Sequence, residues 1–196
     1  MSLPIWAGMA AVLATGPALA ADWQAKEQVK TYAISGAIGP ELYASIGENG
    51  PLIGQTRAIA LTNWDLKWRR DYQREGTACA LKSALPFLII TTTLPKPKAR
   101  LSGSVAAHWK TFIDGITAHE RVHGQDIIAM TEEIITGTVG LRVKNDPGCT
   151  LIRAEVLSKV KAANEAYKEK ARAFDTVEMS KDGNVQRLIL SFVNGG

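Results

Sequence analysis

Short apolar runs separated by turn residues dominate the chain up to about residue 100. The apolar runs fall in four segments, 29–34, 56–64, 80–81 and 87–93, and three of them are rich in β-branched and aromatic residues. Runs of this kind, bounded by Gly, Pro and Asn, are typical of strands. We therefore expect a mostly antiparallel sheet, with a short helix after Pro40. The proline-rich segment 94–98 is expected to be a connection, because proline cannot donate to a central strand pairing.

After residue 100 the apolar positions recur at steps of three and four. One stripe predicts a helix over 104–136, and a second stripe predicts a helix over 151–174. Residues 185–193 return to strand-like composition, so we expect a last strand there. The predicted architecture is α+β: an N-terminal, mostly antiparallel sheet packed with two long helices, and a C-terminal strand.

The N-terminus has the composition of an export signal. The first twenty residues contain no charged side chain and end in Ala18-Leu19-Ala20, a small-x-small pattern that signal peptidase accepts. We therefore predict a signal peptide at 1–20 and a single domain at 21–196, in a periplasmic or secreted protein with no stable membrane span after cleavage. A buried apolar strand and an uncleaved anchor are the alternatives, and Gly16-Pro17 disfavours the anchor because it interrupts the apolar stretch.

The chain has two cysteines, Cys79 and Cys149, each in a turn-like context. In an exported chain we expect them to form one disulfide, whereas in a cytoplasmic chain they would be separate buried thiols. Neither cysteine belongs to a CxxC pair, so the spacing does not support metal ligation by sulfur.

The charge balance is mildly basic. There are 23 Lys and Arg against 19 Asp and Glu among 196 residues, which gives a formal charge of +4. The basic residues form no dense run and accompany no recognition motif, so we expect no nucleic-acid partner.

The candidate chemistry is concentrated in one helical turn, His119-Glu120-Arg121-Val122-His123, which is an HExxH arrangement. Residues i and i+4 share one face of a helix, so the two imidazoles can bind one Zn²⁺ ion. Glu120 lies about 100° around the helix, where a carboxylate can accept a proton from metal-bound water. Hydrolysis of a peptide bond is the reaction that this arrangement favours. The alternative is a pair of hydrogen-bonded core histidines beside a surface glutamate.

The motif also stands in a wider context that resembles a known family. The shared features are Trp109 and Phe112 before the motif on the same helix, the segment 90–95, Trp64 and Trp68 in a Trp-x-x-x-Trp segment, and Cys79 and Cys149 on either side. Over about 28–190 the chain resembles the DUF922 family of predicted secreted zinc-dependent proteases of bacteria. This resemblance implies a metallopeptidase-like fold and export.

The third metal ligand stays open between several acidic residues. The family tends to carry a Tyr-Asp pair followed by His-Gly, where this chain has Phe-Asp at 174–175 and Asp-Gly at 182–183. We favour Asp182, because it stands where the family often has His. Asp126 lies about 7 to 8 Å along the helix from the level of the metal and needs a break at Gly124. Glu155, Asp175 and Glu178 are also possible donors.

Three functions remain open at this level. The first is a zinc metallopeptidase in which His119, His123 and a third ligand hold Zn²⁺ and Glu120 is the general base, with a peptide or protein substrate. The second is a non-catalytic zinc-binding or structural envelope protein. The third is a metal-free interaction domain whose basic surface meets anionic envelope polymers. The pattern indicates no particular substrate or oligomeric state.

Overall fold

The computed structural model describes residues 23–195, so the predicted signal peptide at 1–20 lies outside the described residues. The elements, in chain order, are β1 Lys26–Ile34, α1 Gly39–Asn49, β2 Leu52–Ile53, β3 Thr56–Arg57, β4 Leu61–Glu75, β5 Ala78–Pro97, α2 Gly103–Thr138, β6 Arg142–Val143, α3 Thr150–Met179 and α4 Asn184–Gly195. Within the described part of the chain, no helix is long and apolar enough to cross a membrane.

A long hairpin forms the centre of the sheet. β4 and β5 pair antiparallel from Leu61↔Thr93 to Glu75↔Ala78. β1 pairs parallel with the other side of β5, and β6 adds a short antiparallel pairing. The order β1-β5-β4 makes β4 an edge strand of the described sheet. The α+β class and the mostly antiparallel sheet are thus confirmed.

One face of this sheet packs against the two long helices. Successive residues of a strand point to opposite faces, so Trp64, Leu66 and Trp68 of β4 share one face. They pack against a core cluster of β5, α2 and α3 residues: Leu88, Ile90, Ile127, Met130, Ile134, Ala163 and Tyr167. The predicted packing of sheet on helices is therefore confirmed, and α2 buries one face against the sheet and the neighbouring helices.

The C-terminal segment is a helix, so the predicted strand over 185–193 is wrong. Its apolar positions Val185, Leu188, Ile189 and Phe192 follow the i, i+3, i+4, i+7 pattern of one helix face, which differs from the period of two of a strand. The β-branched and aromatic composition suggests a strand, but the spacing determines which residues share a face. In the structure Phe192 stacks on Phe112 of α2 at 4.7 Å between ring centroids.

The connection expected at 94–98 is also wrong, because β5 continues through both prolines of this segment. The pairing of β4 with β5 ends at Thr93, so this end of β5 has only β1 beside it. The Lys98 N–H donates to Ile34 O across that pair at 2.9 Å. Since N–H groups alternate in direction along a strand, both prolines fall on the side without a partner strand, where a missing donor is tolerated.

The predicted disulfide between Cys79 of β5 and Cys149, immediately before α3, is confirmed, with the Cα atoms 5.3 Å apart. The start of α3 is also fixed by Asp146, whose carboxylate accepts hydrogen bonds from the backbone N–H groups of Thr150 (2.8 Å) and Ile152 (2.9 Å). Burial alone raises the pKa of Asp146, but these hydrogen bonds outweigh it and hold the pKa below its ordinary value.

Candidate metal centre

The HExxH motif lies in the middle of α2, which is unbroken through Gly124. His119 and His123 are therefore one turn apart on the same helix face, as the spacing predicts. Their Nε2 atoms are 3.2 Å apart, and each side chain is 11% exposed. Both imidazoles thus direct the same ring nitrogen toward one small region.

α3 brings a carboxylate into that region. Asp175 Oδ1 lies 3.0 Å from His123 Nε2 and 3.2 Å from His119 Nε2. Among the described residues these three side chains form the one group of at least three His, Cys, Asp or Glu whose ligand atoms lie within 4.8 Å of one another. We call the three atoms, His119 Nε2, His123 Nε2 and Asp175 Oδ1, the donor triangle.

Asp182, the favoured third ligand in the sequence, is not part of the donor triangle. It lies in the turn after α3, with a left-handed backbone (φ 66°) and its N–H bonded to Gln186 Oε1 at 2.8 Å. The physical reason is that α3 continues to Met179, beyond the predicted end at 174. Asp175 is therefore a helical residue on the side that faces α2, and Asp182 falls beyond the helix end.

Three more acidic residues that could have supplied the third ligand also lie apart from the donor triangle. Asp126 pairs with Lys170 Nζ at 2.8 Å, since the unbroken α2 carries it past the histidines. Glu155 is exposed and about 30 Å along α3 from Asp175 at the ordinary helical rise. Glu178 Oε2 lies 3.6 Å from Nδ1 of His119, the nitrogen that does not belong to the triangle.

The ring of His119 is held on two sides by α3. Phe174 stacks on it, with centroids 4.8 Å apart and planes inclined by 19°. Glu178 stands opposite Nδ1 and also accepts a hydrogen bond from Asn184 Nδ2 at 3.2 Å. Metal-binding histidines commonly face a carboxylate with the nitrogen that does not bind the metal, because that carboxylate fixes the ring orientation. Glu178 is the carboxylate nearest this position, but at 3.6 Å it does not hydrogen-bond Nδ1, which has no hydrogen-bond partner among the described residues.

Glu120 lies on the same turn of α2 and is 6% exposed. Its Oε2 accepts a hydrogen bond from Thr62 Oγ1 of β4 at 2.7 Å. Burial raises the pKa of Glu120, and the bond from Thr62 and the nearby histidines offset part of that effect. The first residues of β4 thus hold this carboxylate in a fixed position beside the histidines.

The charges of the donor triangle are mutually stabilising. The hydrogen bond with Asp175 is the main cause that raises the pKa of His123. Burial by itself raises the pKa of Asp175, but the hydrogen bonds with both histidines outweigh it and hold that pKa well below its ordinary value. The carboxylate is therefore ionised at neutral pH. A metal ion would replace any proton on the histidines, since imidazole binds metal in its neutral form, and the three ligands would then carry one negative charge.

The triangle and Glu120 open into a cleft of about 420 Å³. Its lining includes Thr62 and the segment 58–61 before and at the start of β4, together with Tyr167 of α3. Burial raises the pKa of Tyr167 to about 12, so its hydroxyl stays protonated at neutral pH. The candidate site is thus accessible from a concave surface large enough for part of a peptide.

The dimensions of the donor triangle fit a small divalent metal ion. Its sides are 3.2, 3.2 and 3.0 Å. These lengths are close to the distance of about 3.3–3.4 Å between two ligands of a tetrahedral zinc ion, each about 2.0–2.1 Å from the metal. Hydrogen bonds do not account for the triangle equally well. A neutral imidazole carries a single N–H, so if both Nε2 atoms donate to Asp175 they have no bond to each other. A central cation satisfies all three atoms, and two imidazoles with one carboxylate are a common zinc donor set.

Sequence reasoning identifies the two histidines of α2 but misses the residues that contact them and Glu120. Thr62 carries no signal, since it is one of many threonines in a strand and its bond to Glu120 joins residues 58 positions apart. Phe174 belongs to the apolar stripe of the second helix, and the stripe does not predict its contact with His119. Asp175 is one of several possible donors in the sequence; if the helix is continued past 174, Asp175 lies one turn after Ala171, on the face that packs toward α2.

The comparison with protein families gives a match over most of the chain. The model of a family described as "Bacterial protein of unknown function (DUF922)" matches residues 29–183. The chain belongs to this family, whose matched region includes β4, the HExxH motif and Asp175. No curated protein and no solved structure matches the chain.

Proposed function

We propose that the protein is a zinc-dependent peptidase in which His119, His123 and Asp175 hold the ion and Glu120 is the general base. The observation that carries this proposal is the donor triangle, whose sides of 3.0 to 3.2 Å suit a tetrahedral ion, next to a buried carboxylate in an open cleft. The substrate is a peptide or a protein segment that enters the cleft.

Each residue has a distinct part in the proposed reaction. A zinc ion in such a site lowers the pKa of water and polarises a substrate carbonyl. Glu120 accepts the proton that the attacking water loses and delivers it to the leaving nitrogen. Thr62 keeps the Glu120 carboxylate oriented, and Phe174 stacks on the His119 ring. A small movement would bring Glu178 into hydrogen-bond distance of His119 Nδ1 when the ion is bound. The apolar lining of the cleft limits competing water around these groups.

The proposal includes a location outside the cytoplasm. Disulfides persist in oxidising compartments, which lie outside the cytoplasm, and the chain forms one between Cys79 and Cys149. The segment 1–20 has the composition of an export signal. N-terminal sequencing of the protein recovered from the periplasm or medium tests this: a mature chain that begins at Ala21 supports export, and an uncleaved chain retained in the cytoplasm contradicts it.

The decisive experiment replaces Glu120 by Gln, which keeps the size of the side chain but removes its basicity. We expect about one zinc per chain in both the wild type and Glu120→Gln, measured by elemental analysis, and a loss of peptide hydrolysis of about 10²–10⁴-fold in the variant. Glu132→Gln, an exposed substitution on the same helix, is the matched control and retains full activity.

The outcomes separate the possible functions. Full hydrolysis by Glu120→Gln eliminates the role of this carboxylate as base. Stoichiometric zinc with no hydrolysis by the wild type, over a panel of unfolded proteins and peptides, identifies a zinc-binding or structural protein instead. Absence of bound zinc after incubation with the ion and removal of the excess contradicts the metal site itself.

A further inference from the structure

Two exposed apolar side chains line the cleft from outside the main sheet. Ile53 of β2 is 56% exposed, and Met179, the last residue of α3, is 51% exposed. Both line the cleft that holds the donor triangle. Much of the remaining lining is apolar as well, including Ile59, Leu61 and Val185. One continuous concavity therefore combines the candidate reaction centre with apolar surface.

Exposure alone does not make these residues functional, because folded proteins expose many apolar side chains. Leu52 is 57% exposed and Val177 is 66% exposed on the same two elements, yet neither lines the cleft. Adjacent strand residues point to opposite faces, so Leu52 and Ile53 face different surroundings. What distinguishes Ile53 and Met179 is their place in the concavity, where a bound apolar side chain would lose its contact with water.

The cleft also contains a positive charge without a carboxylate partner. Arg57 of β3 is the one Lys or Arg that lines it, within the part of the chain that the structure describes. Its Nη1 donates to Gly50 O at 2.6 Å, which fixes the guanidinium beside the β2–β3 hairpin. No Asp or Glu of residues 23–195 lies within ion-pair distance of it. A ligand with a carboxylate complements this charge.

We propose that the cleft selects peptides that carry a large apolar side chain and a nearby carboxylate. Ile53 and Met179 cover the apolar side chain, and Arg57 binds the carboxylate. This inference rests on the proposed peptidase function, and it adds a substrate class to it. The β2–β3 hairpin, which supplies both Ile53 and Arg57, is then the main recognition element.

The first test measures binding separately from turnover. The probe is a short fluorescein-labelled Gly/Ser peptide with one Leu and one Glu, and its binding to zinc-loaded Glu120→Gln protein is followed by fluorescence anisotropy. Replacing Leu by Ala in the probe is expected to weaken binding at least about tenfold. Adding Ile53→Asp to the protein produces a similar loss, whereas adding Leu52→Asp, equally exposed but outside the cleft, leaves the affinity unchanged.

The second test addresses the charge. Arg57→Gln is expected to weaken binding of the Glu probe about two- to fivefold, the range of an exposed ion pair, and to leave a Gln probe unaffected. Arg74→Gln, exposed on β4 and outside the cleft, is the matched control. Equal loss in both arginine variants, or equal loss for both probes, overturns the carboxylate part of the proposal.

The binding experiment tests the proposed recognition surface, and the hydrolysis experiment tests the proposed peptidase function. Selective binding of the Leu probe together with no cleavage by the wild type supports the recognition surface and contradicts the peptidase function. Cleavage that is indifferent to Leu, to Ile53→Asp and to Met179→Asp overturns the recognition surface while the peptidase function stands. A dimer in sedimentation that Ile53→Asp dissociates also overturns the proposal, because a second copy then covers this surface.

Discussion

Replacing Asp175 by Asn removes the charge of one member of the donor triangle while it preserves the shape of the side chain. Asp175 is 50% exposed, and its side chain contacts both histidines. The histidines are 11% exposed, but because Asp175 is half-exposed, solvent screening limits the contribution of these contacts to the free energy of unfolding to about 1 kcal/mol. We therefore expect the metal-free variant to be nearly as stable as the metal-free wild type.

The effect on the zinc-bound protein is much larger. At a free zinc concentration about 1,000 times the dissociation constant, a single bound ion stabilises the native state by about 4.1 kcal/mol. Loss of a supporting residue behind a ligand typically weakens metal affinity about 10- to 100-fold, so loss of the ligand's charge is expected to weaken it at least about 100-fold. At the same zinc concentration the stabilisation then falls by about 2.7 kcal/mol, which lowers Tm by roughly 5–11 °C for a protein of this size.

Thermal unfolding with and without zinc measures both quantities, and elemental analysis gives the metal content. Asp182→Asn is the matched control, because Asp182 is an exposed acidic residue of the same region and is the ligand that the sequence favours. It is expected to keep the full zinc-dependent increase in Tm. The reasoning is refuted if Asp182→Asn loses that increase while Asp175→Asn retains it, or if zinc stabilises neither protein.

Three further predictions concern residues that support the fold or the site. Glu178→Gln is expected to weaken zinc affinity about 10- to 100-fold in a competition assay with a chelator, because Glu178 would orient His119 when the ion is bound; an unchanged affinity assigns Glu178 no such role. Serine at both Cys79 and Cys149 opens a loop with a sequence separation of 70, which is expected to lower the free energy of unfolding by about 4 kcal/mol in a denaturant titration; a loss below about 1 kcal/mol contradicts the loop-entropy account. Because the pKa of Asp146 is lowered by its bonds to the start of α3, its stabilising effect is present at neutral pH and is lost as the pH falls below about 4. Asp146→Asn is thus expected to be less stable at pH 7, and its free energy of unfolding to depend less on pH in the acid range. Urea titrations at several pH values measure this, and an unchanged pH dependence counts against the capping role.

The parts of the fold that depend on local spacing could be predicted from the sequence. The helical stripe through His119 and His123 is a property of one segment, and it correctly places both imidazoles on one face of α2. The helix expected after Pro40 is equally local and is confirmed as α1. In both cases neighbouring residues carry the whole signal.

The misplaced elements depend on what surrounds them. The prolines near the end of β5 are compatible with a strand only because β4 stops pairing at Thr93, which the proline pattern itself does not reveal. The composition of 185–193 suggests a strand, although its three- and four-residue spacing favours the helix that packs on α2. Asp175 is distinguishable from Asp182 only once the end of α3 is known. If the helix ended a few residues earlier or later, a different carboxylate would lie near the two histidines.

The three atoms of the donor triangle come from two helices, and His123 and Asp175 are 52 positions apart in the chain. An unfolded chain therefore presents at most the two neighbouring histidines, which chelate weakly without the carboxylate. An ion held by all three atoms could bind tightly only after α2 and α3 have docked, so loading of the site would follow tertiary assembly.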